Sequence, residues 1–413
     1  MKPFSLLIKP ASALCNIDCT YCFYKRVLGV YPETEYQLKM SLSTAEALVE
    51  KFLGLKFPAV SLCFQGGEPL LMGLDFYRQI IEMEKKHGFP GQAVGNSFQT
   101  NAVLVNEEWA AFFRQYNMLL GVSLDGEEDL HDYYRKDYSG SGTFKKVMQG
   151  IRHLEAGNVE FNILSMLTPA SAPRAVNTYK FLRSLGFNYL QFIPCLEEIP
   201  GAGKPAPFSL SSDDFLLFYK KLFDTWYENG YPHVSVRLFD DILSYILDGH
   251  RNSCAFQNAC NSYFLVEHNG DVYPCDFFVY PEWKLGSIVN NSFDEIVKSD
   301  KRLKFAKLKS MAGRHCRECK YYTFCLGDCT KFRLFGGNNE SHISALCPGF
   351  RDFLDYSFPR FLELSEDIKK RRLSRRMQSP PPVIPADYPR NAPCLCGSGR
   401  KYKHCCMQSE NKS

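Results

Sequence analysis

The stretch FSLLIKPASALCNIDCTYCFY, residues 4–24, decides how this chain is read. It opens as a short apolar run of strand length and continues as a loop carrying Cys15, Cys19 and Cys22. Three thiolates with no fourth close by suit three irons of a cubic 4Fe-4S cluster, leaving the fourth iron open to a small molecule. A structural zinc ion asks for four ligands, so a zinc reading needs a distant residue to complete the set.

Outward from this strand the same rhythm repeats, with short apolar or β-branched runs alternating with longer amphipathic segments. Strands are predicted at Phe4–Lys9, Val60–Phe64, Gly95–Thr100, Met118–Leu124, Glu160–Thr168 and Tyr189–Ile193, with helices such as Ser43–Phe52 and Phe76–His87 between them. Six strands alternating with helices predict an α/β fold with a parallel sheet, open or curved into a partial (β/α)6 TIM-like barrel. Sites in such sheets lie beyond the carboxyl ends of the strands, which directs attention to the loop of Cys15, to CFQGGEP at 63–69 and to GVSLDG at 121–126.

At 413 residues the chain exceeds the roughly 250–300 residues at which one core stops growing. Its 45% hydrophobic and 23% charged residues exclude a disordered or fibrous protein. No apolar run reaches the roughly 18 residues of a membrane span and no secretory signal is evident, so a cytoplasmic protein without a membrane partner is expected. Among catalytic signatures, HExxH, a Walker loop and a GxSxG elbow are missing. The net charge of +4 is a property of the tail, where residues 366–413 hold eleven Lys or Arg against four Asp or Glu. The expected organisation is a barrel over 1–240, a cysteine-rich domain over 241–365, a basic and proline-rich linker over 366–388 and a small module over 389–413, with Phe350–Arg376 read as a helix and Ser379–Pro389 as an extended stretch.

Seventeen cysteines in a chain kept in a reducing compartment point to metal ligation more than to disulfides. Cys254, Cys260, Cys275, Cys316, Cys319, Cys325, Cys329 and Cys347 supply two complete four-thiolate sets, which spacing alone assigns equally well to zinc or to iron–sulfur clusters. Cys394, Cys396, Cys405 and Cys406 crowd around a short basic stretch, as structural zinc requires, with His404 an alternative to Cys406. Cys63 and Cys195 are left over and read as buried thiols.

The CxxxCxxC spacing with Tyr21 before its third cysteine resembles the signature of radical S-adenosylmethionine enzymes, and the later strand ends agree with it. That resemblance implies that Gly67 and Glu68 of the GGEP motif hold the methionine amino group and that Ser123 meets the methionyl carboxylate or ribose. It further implies that Arg135 pairs with the same carboxylate, that Leu196 contacts the adenine and that Tyr21 belongs to the cofactor site. The cysteine-rich region resembles the SPASM extension. In the closest subgroup Cys254, Cys260, Cys275 and Cys329 hold one auxiliary 4Fe-4S cluster, and Cys316, Cys319, Cys325 and Cys347 a second. Over about the first 365 residues the chain is similar to anaerobic sulfatase-maturating enzymes, in which the residue matching Asp276 is the catalytic base. The implied function is oxidation of a Cys or Ser of an unfolded sulfatase to Cα-formylglycine (3-oxoalanine). Three 4Fe-4S clusters, S-adenosylmethionine and an electron donor such as flavodoxin or ferredoxin are implied with it. The tail is similar to the SEC-C zinc motif, and its basic residues suit contact with nucleic acid or the ribosome. Two alternatives stand beside this expectation: SPASM-type modification of another peptide or protein, and a non-catalytic, zinc-bearing binding protein.

Overall fold

A computed structural model describes residues 2–32, 37–229, 233–335, 343–378, 388–392, 401–404 and Met407. Six parallel strands follow one another in sequence and in space: β1 (Ser5–Lys9), β2 (Ala59–Phe64), β3 (Ala93–Thr100), β4 (Leu119–Ser123), β5 (Phe161–Leu167) and β6 (Tyr189–Pro194). Helices α1 (Leu42–Leu53), α2 (Leu74–His87), α3 (Glu107–Gln115), α4 (Glu128–Tyr134), α5 (Phe144–Ala156) and α6 (Ala175–Ser184) connect them. This is a partial (β/α)6 barrel. In β2 the buried Val60, Leu62 and Phe64 alternate with the less buried Ser61 and Cys63. Phe64 packs its ring against Tyr77 of α2, so the fully apolar face is the one under the helices and the more polar face turns the other way.

The sheet extends past the barrel at both edges. Strand β7 (Ser235–Val236) pairs with β6. After α7 (Ser212–Asn229) and α8 (Arg237–Asp248), strand β8 (Tyr263–Glu267) pairs in parallel with β1, and β9 (Asp271–Tyr273) and β10 (Gly286–Ser287) continue antiparallel. The sheet thus continues across the expected boundary near residue 240: the cysteine-rich region covers the open edge of β1, an edge that would otherwise leave a row of backbone groups unpaired. The compact unit runs Met1–Phe358, and a second comprises Pro359–Ser413. Beyond β10 the first unit is built of short helices, α9 (Phe293–Lys298), α10 (Asp300–Ser310), α11 (Arg314–Arg317), α12 (Tyr322–Cys325) and α13 (Thr330–Leu334).

Helix α14 (Cys347–Gln378) has Pro359 within it and includes the first half of the expected 366–388 linker. Residues 366–378 contain neither Gly nor Pro and are rich in Lys and Arg, and they continue the helix expected over Phe350–Arg376, while the expected extended stretch over Ser379–Pro389 lies mostly outside the described residues. In the second unit Tyr402 packs edge-on against Tyr388 and its amide donates to the Ala392 carbonyl. Cys394, Cys396, Cys405 and Cys406 lie outside the described residues. Among the described residues no helix is long and apolar enough to cross a membrane.

The loop after β2 is laced to the loop after β1. The amides of Gln65, Gly67 and Glu68 donate to the carbonyls of Ile8, Ser12 and Leu14 at 2.9, 2.8 and 2.7 Å. A side chain at Gly67 would bring its Cβ within 1.8 Å of the Leu14 oxygen, and Gly66 adopts φ +138° with its Cβ position 2.6 Å from the Ser12 oxygen. The glycine pair thus lets two strand-end loops share one hydrogen-bonded seam. Gly67→Ala is expected to destabilise the fold by about 1–3 kcal/mol or more through overpacking, read as a lowered midpoint of chemical unfolding.

Candidate active site

The loops after β1, β2, β4, β6 and β9 meet at one cavity of about 370 Å³. Cys15, Cys19 and Cys22 line it together with Gly66, Gly67, Ser123, Arg135 and, from the cysteine-rich region, Asp276. A wider neighbouring cavity of about 730 Å³ shares Tyr21, Glu197, Phe277 and Lys331 with the first and has Leu196 in its wall. Glu197 and Lys331 form an ion pair where the two spaces join.

The cysteine loop is held mainly from the end of β4. Asp125, buried, receives the Tyr21 hydroxyl, the Arg135 Nε and Nη2 at 3.0 and 3.2 Å, and the Met166 amide at 3.0 Å. The Asp18 and Thr20 amides donate to the Lys136 and Tyr134 carbonyls. Burial pushes the Asp125 carboxyl up, but the adjacent Arg135 guanidinium outweighs that and holds it below the usual carboxylate range. The remaining Arg135 nitrogen, Nη1, lies 3.9 Å from Cys19 Sγ. Burial raises the Cys15 thiol to about 12 and the Cys19 thiol to about 11, the latter against the pull of Arg135. Such thiols are neutral unless a bound cation draws off their protons, as iron does on cluster assembly. Three thiols on one short loop, facing a cavity, fit a cluster with one open iron.

Three of the expected cofactor contacts have protein partners in this structure. Glu68 does not face the cavity: its buried carboxylate accepts from the Leu70 amide, the Thr100 hydroxyl and the Asn101 amide, at 2.9–3.0 Å, and burial raises its pKa to about 7. These bonds tie the loop after β2 to the end of β3. Arg135 is engaged bidentately by Asp125 with Nη1 left toward Cys19, and Tyr21 gives its hydroxyl to Asp125, while both residues line the cavity. Cys195 is buried as expected and lines the cavity, whereas Cys63 is only half-buried.

The eight later cysteines divide four and four. Cys254, Cys260, Cys275 and Cys329 line one cavity with Tyr263 and Lys309, and Cys316, Cys319, Cys325 and Cys347 line another with Asp328 and Ser344. Among the described residues no three His, Cys, Asp or Glu side chains converge on a point close enough for a single metal ion. Each set stands around a space instead, and four thiols so placed fit a polynuclear iron–sulfur group. Asp276 bridges the first of these sets and the main cavity. Its carboxylate accepts from the Tyr263 hydroxyl at 3.2 Å, and that hydroxyl is also 3.1 Å from Cys275 Sγ.

Several site residues escaped the sequence reading. Lys9, at the end of β1, is fully buried with its ammonium 4.1 Å from the centre of the Tyr24 ring, and Tyr24 donates to the buried Glu267. Burial lowers the Lys9 pKa, against the opposing charges of Asp276 and Glu267. A lysine inside FSLLIK, a strand covered on both faces, is the signal that marks it. Asp125 had no such mark, since an Asp-Gly pair reads first as a turn.

This fold and donor set define an iron–sulfur radical enzyme scaffold, and comparison with known proteins agrees. The Radical SAM superfamily matches residues 10–182, an iron-sulfur cluster-binding domain, SPASM, matches 254–320, and the SEC-C motif matches 390–408. A cysteine-type anaerobic sulfatase-maturating enzyme of Clostridium perfringens is 37% identical over 89% of this chain and 100% of its own length. A serine-type enzyme of Bacteroides thetaiotaomicron is 31% identical over 93% of this chain and 95% of its own. The solved structure described as native anSMEcpe with bound AdoMet superposes with a TM-score of 0.82 at 37% identity, covering 88% of this chain and 100% of that one. The chain belongs to the anaerobic sulfatase-maturating enzymes, a family of radical S-adenosylmethionine enzymes with a SPASM domain. Family membership sets aside the alternative of a non-catalytic zinc-bearing protein.

Asp125→Asn is expected to lower stability by about 3–5 kcal/mol, because it leaves Arg135 buried without its partner. Since the Asp125 pKa is depressed in the folded state, its contribution is complete at neutral pH and is lost only as pH falls through that lowered value. Urea titrations of both proteins at neutral and acid pH check this: the gap between them should narrow only in acid.

Proposed function

We propose that this protein oxidises one Cys or Ser side chain of an unfolded sulfatase polypeptide to Cα-formylglycine. The observation that carries the reading is Asp276, a carboxylate from the cysteine-rich region that lines the cavity of Cys15, Cys19 and Cys22 while adjoining Cys275 of a second thiol set. When bound, the cluster and S-adenosylmethionine supply a 5′-deoxyadenosyl radical that removes a hydrogen atom from the target Cβ. Asp276 takes the proton from the target sulfur or oxygen, Tyr263 orienting the carboxylate through its hydroxyl. Cys254, Cys260, Cys275 and Cys329 would hold an iron–sulfur group able to accept the remaining electron, and Asp276 stands next to it because base and ligand are chain neighbours. Gly66, Gly67 and Ser123 cradle the methionyl end of the cofactor, Arg135 tunes the environment of Cys19, and Leu196 packs toward the adenine. The apolar walls, Phe23, Met166 and Phe277 among them, exclude water from the reacting atoms.

The eight later cysteines are proposed to hold two further 4Fe-4S clusters in the sets that line the two cavities. Cys394, Cys396, Cys405 and Cys406 are proposed to hold structural zinc, supported by the SEC-C match. A flavodoxin or ferredoxin in the cytoplasm is proposed as the electron source, and the basic tail as a contact for nucleic acid or the ribosome. For the polypeptide substrate, the support is that anSMEcpe, which this chain resembles at 36% identity, has been solved with a bound Cp18Cys peptide.

Under anoxia with reductant, a peptide carrying Cys-x-Pro-x-Arg or Ser-x-Pro-x-Arg is expected to gain an aldehyde captured by a hydrazide probe. Deoxyadenosine release without any aldehyde on either peptide points instead to modification of another peptide. Cys19→Ala should abolish deoxyadenosine release. Asp276→Asn should keep that release yet reduce aldehyde formation by about 100-fold or more; full aldehyde formation would remove Asp276 from the role of base.

A further inference from the structure

The two later cysteine sets share a wall, and two buried cations, Lys309 and Arg333, are built into it. Lys309, on the last turn of α10, is 2% exposed. Its ammonium donates to the Ala255 carbonyl at 2.5 Å and to the Asp328 carbonyl. These acceptors are the immediate neighbours of Cys254 and Cys329, two members of the same set that lie far apart in sequence. Arg333 in turn donates to the Lys309 carbonyl at 2.8 Å. On the other side the Asp328 carboxylate accepts from the Ser344 hydroxyl at 2.7 Å, and both residues line the cavity of the second set.

The wall itself is a forced piece of backbone. Between Cys325 of one set and Cys329 of the other, Leu326, Gly327 and Asp328 adopt φ values of +49°, +82° and +63°. Consecutive left-handed residues, two of them not glycine, persist only where the surroundings hold them. The Lys309 ammonium on the Asp328 carbonyl is such a hold. Lys309 itself lines the cavity of the first set, and the Asp328 it holds lines the cavity of the second.

We infer that Lys309 is a positioning residue for both auxiliary sites: it staples the Cys254 loop to the Cys329 loop and, as a buried cation at their common wall, favours the reduced form of the clusters they hold. The inference rests on the proposal above that these cysteines hold iron–sulfur clusters. Reduction adds one electron to a cluster, from the substrate radical in the proposed reaction or from dithionite in a titration, with no bond made or broken and no proton moved. The cluster becomes more negative, and a fixed positive charge at its wall stabilises that form.

The test compares full-length wild type, Lys309→Met and Lys309→Arg after anaerobic reconstitution with iron and sulfide. Iron content, deoxyadenosine release and dithionite titration followed by electron paramagnetic resonance are measured on each. Wild type should hold about twelve irons, three cubanes of four. In Lys309→Met the auxiliary midpoints should fall by at least a tenfold change in the reduction equilibrium, about 59 mV for one electron. Alternatively, if the staple is lost altogether, Lys309→Met should hold only about four irons while still releasing deoxyadenosine. Lys309→Arg, which keeps the charge, should hold full iron with midpoints near wild type. Full iron with unmoved midpoints in Lys309→Met, or an arginine variant as impaired as the methionine one, overturns the inference. Wild type loading only about four irons overturns the underlying proposal as well, so the two failures are told apart.

Discussion

The buried Asp125 carboxylate is the interaction on which the site depends. Placed by the end of β4, it accepts from Tyr21 on the cysteine loop, from Arg135 beyond α4 and from the Met166 amide of β5. One group therefore references the cysteine loop to two strands and to the segment that follows α4. A loop of this kind cannot be held by apolar burial alone, since its thiols must face a cavity. A charged acceptor out of water is tolerable only because a guanidinium and two further donors surround it. Arg135 then has a single nitrogen left, which lies by Cys19, so the pair that anchors the loop also sets the charge beside one of its sulfurs.

A second seam works without charge. Amides of the GGEP loop donate to carbonyls of the preceding cysteine loop, and glycine is required because any Cβ would occupy the place of the Leu14 oxygen. Glu68 closes the seam from behind by gathering donors from Leu70, Thr100 and Asn101. The motif is thus conformational first. Its backbone can meet a ligand only because its acidic side chain is spent inside the protein.

The barrel was legible because its strands are short apolar runs at regular spacing, and the cysteines because spacing is a property of the chain itself. Local order does not reveal partnership across the fold. Arg135 reads as a free cation until Asp125 is seen beside it. In DKRLKFAKLKS, residues 300–310, nothing separates Lys309 from its four basic neighbours, and only packing shows it to be buried while Lys304 and Lys307 are exposed. The continuity of the sheet across residue 240 is hidden for a similar reason: parallel pairing of β8 with β1 joins segments more than two hundred residues apart, and no periodicity within either announces it. Lys9 is the converse case, a charge whose burial the sequence does signal because the strand around it has no polar face.

That long-range pairing bears directly on the chemistry. Strand β1 ends at Lys9 and the cysteine loop, and β8, paired with it from Ser5↔Tyr263 to Lys9↔Glu267, leads through β9 to Cys275 and Asp276. The radical source, the base and the first auxiliary site of the proposed reaction are therefore all positioned from a single pair of neighbouring strands. Tyr263, at the start of β8, reinforces this by touching both Cys275 and Asp276. Proton and electron must leave the substrate together, and a base one residue from a cluster ligand meets that demand by covalent connection. Had the cysteine-rich region been a separate domain docked on the barrel, the same distance would depend on an interface free to shift; continuous sheet pairing makes it a property of the backbone.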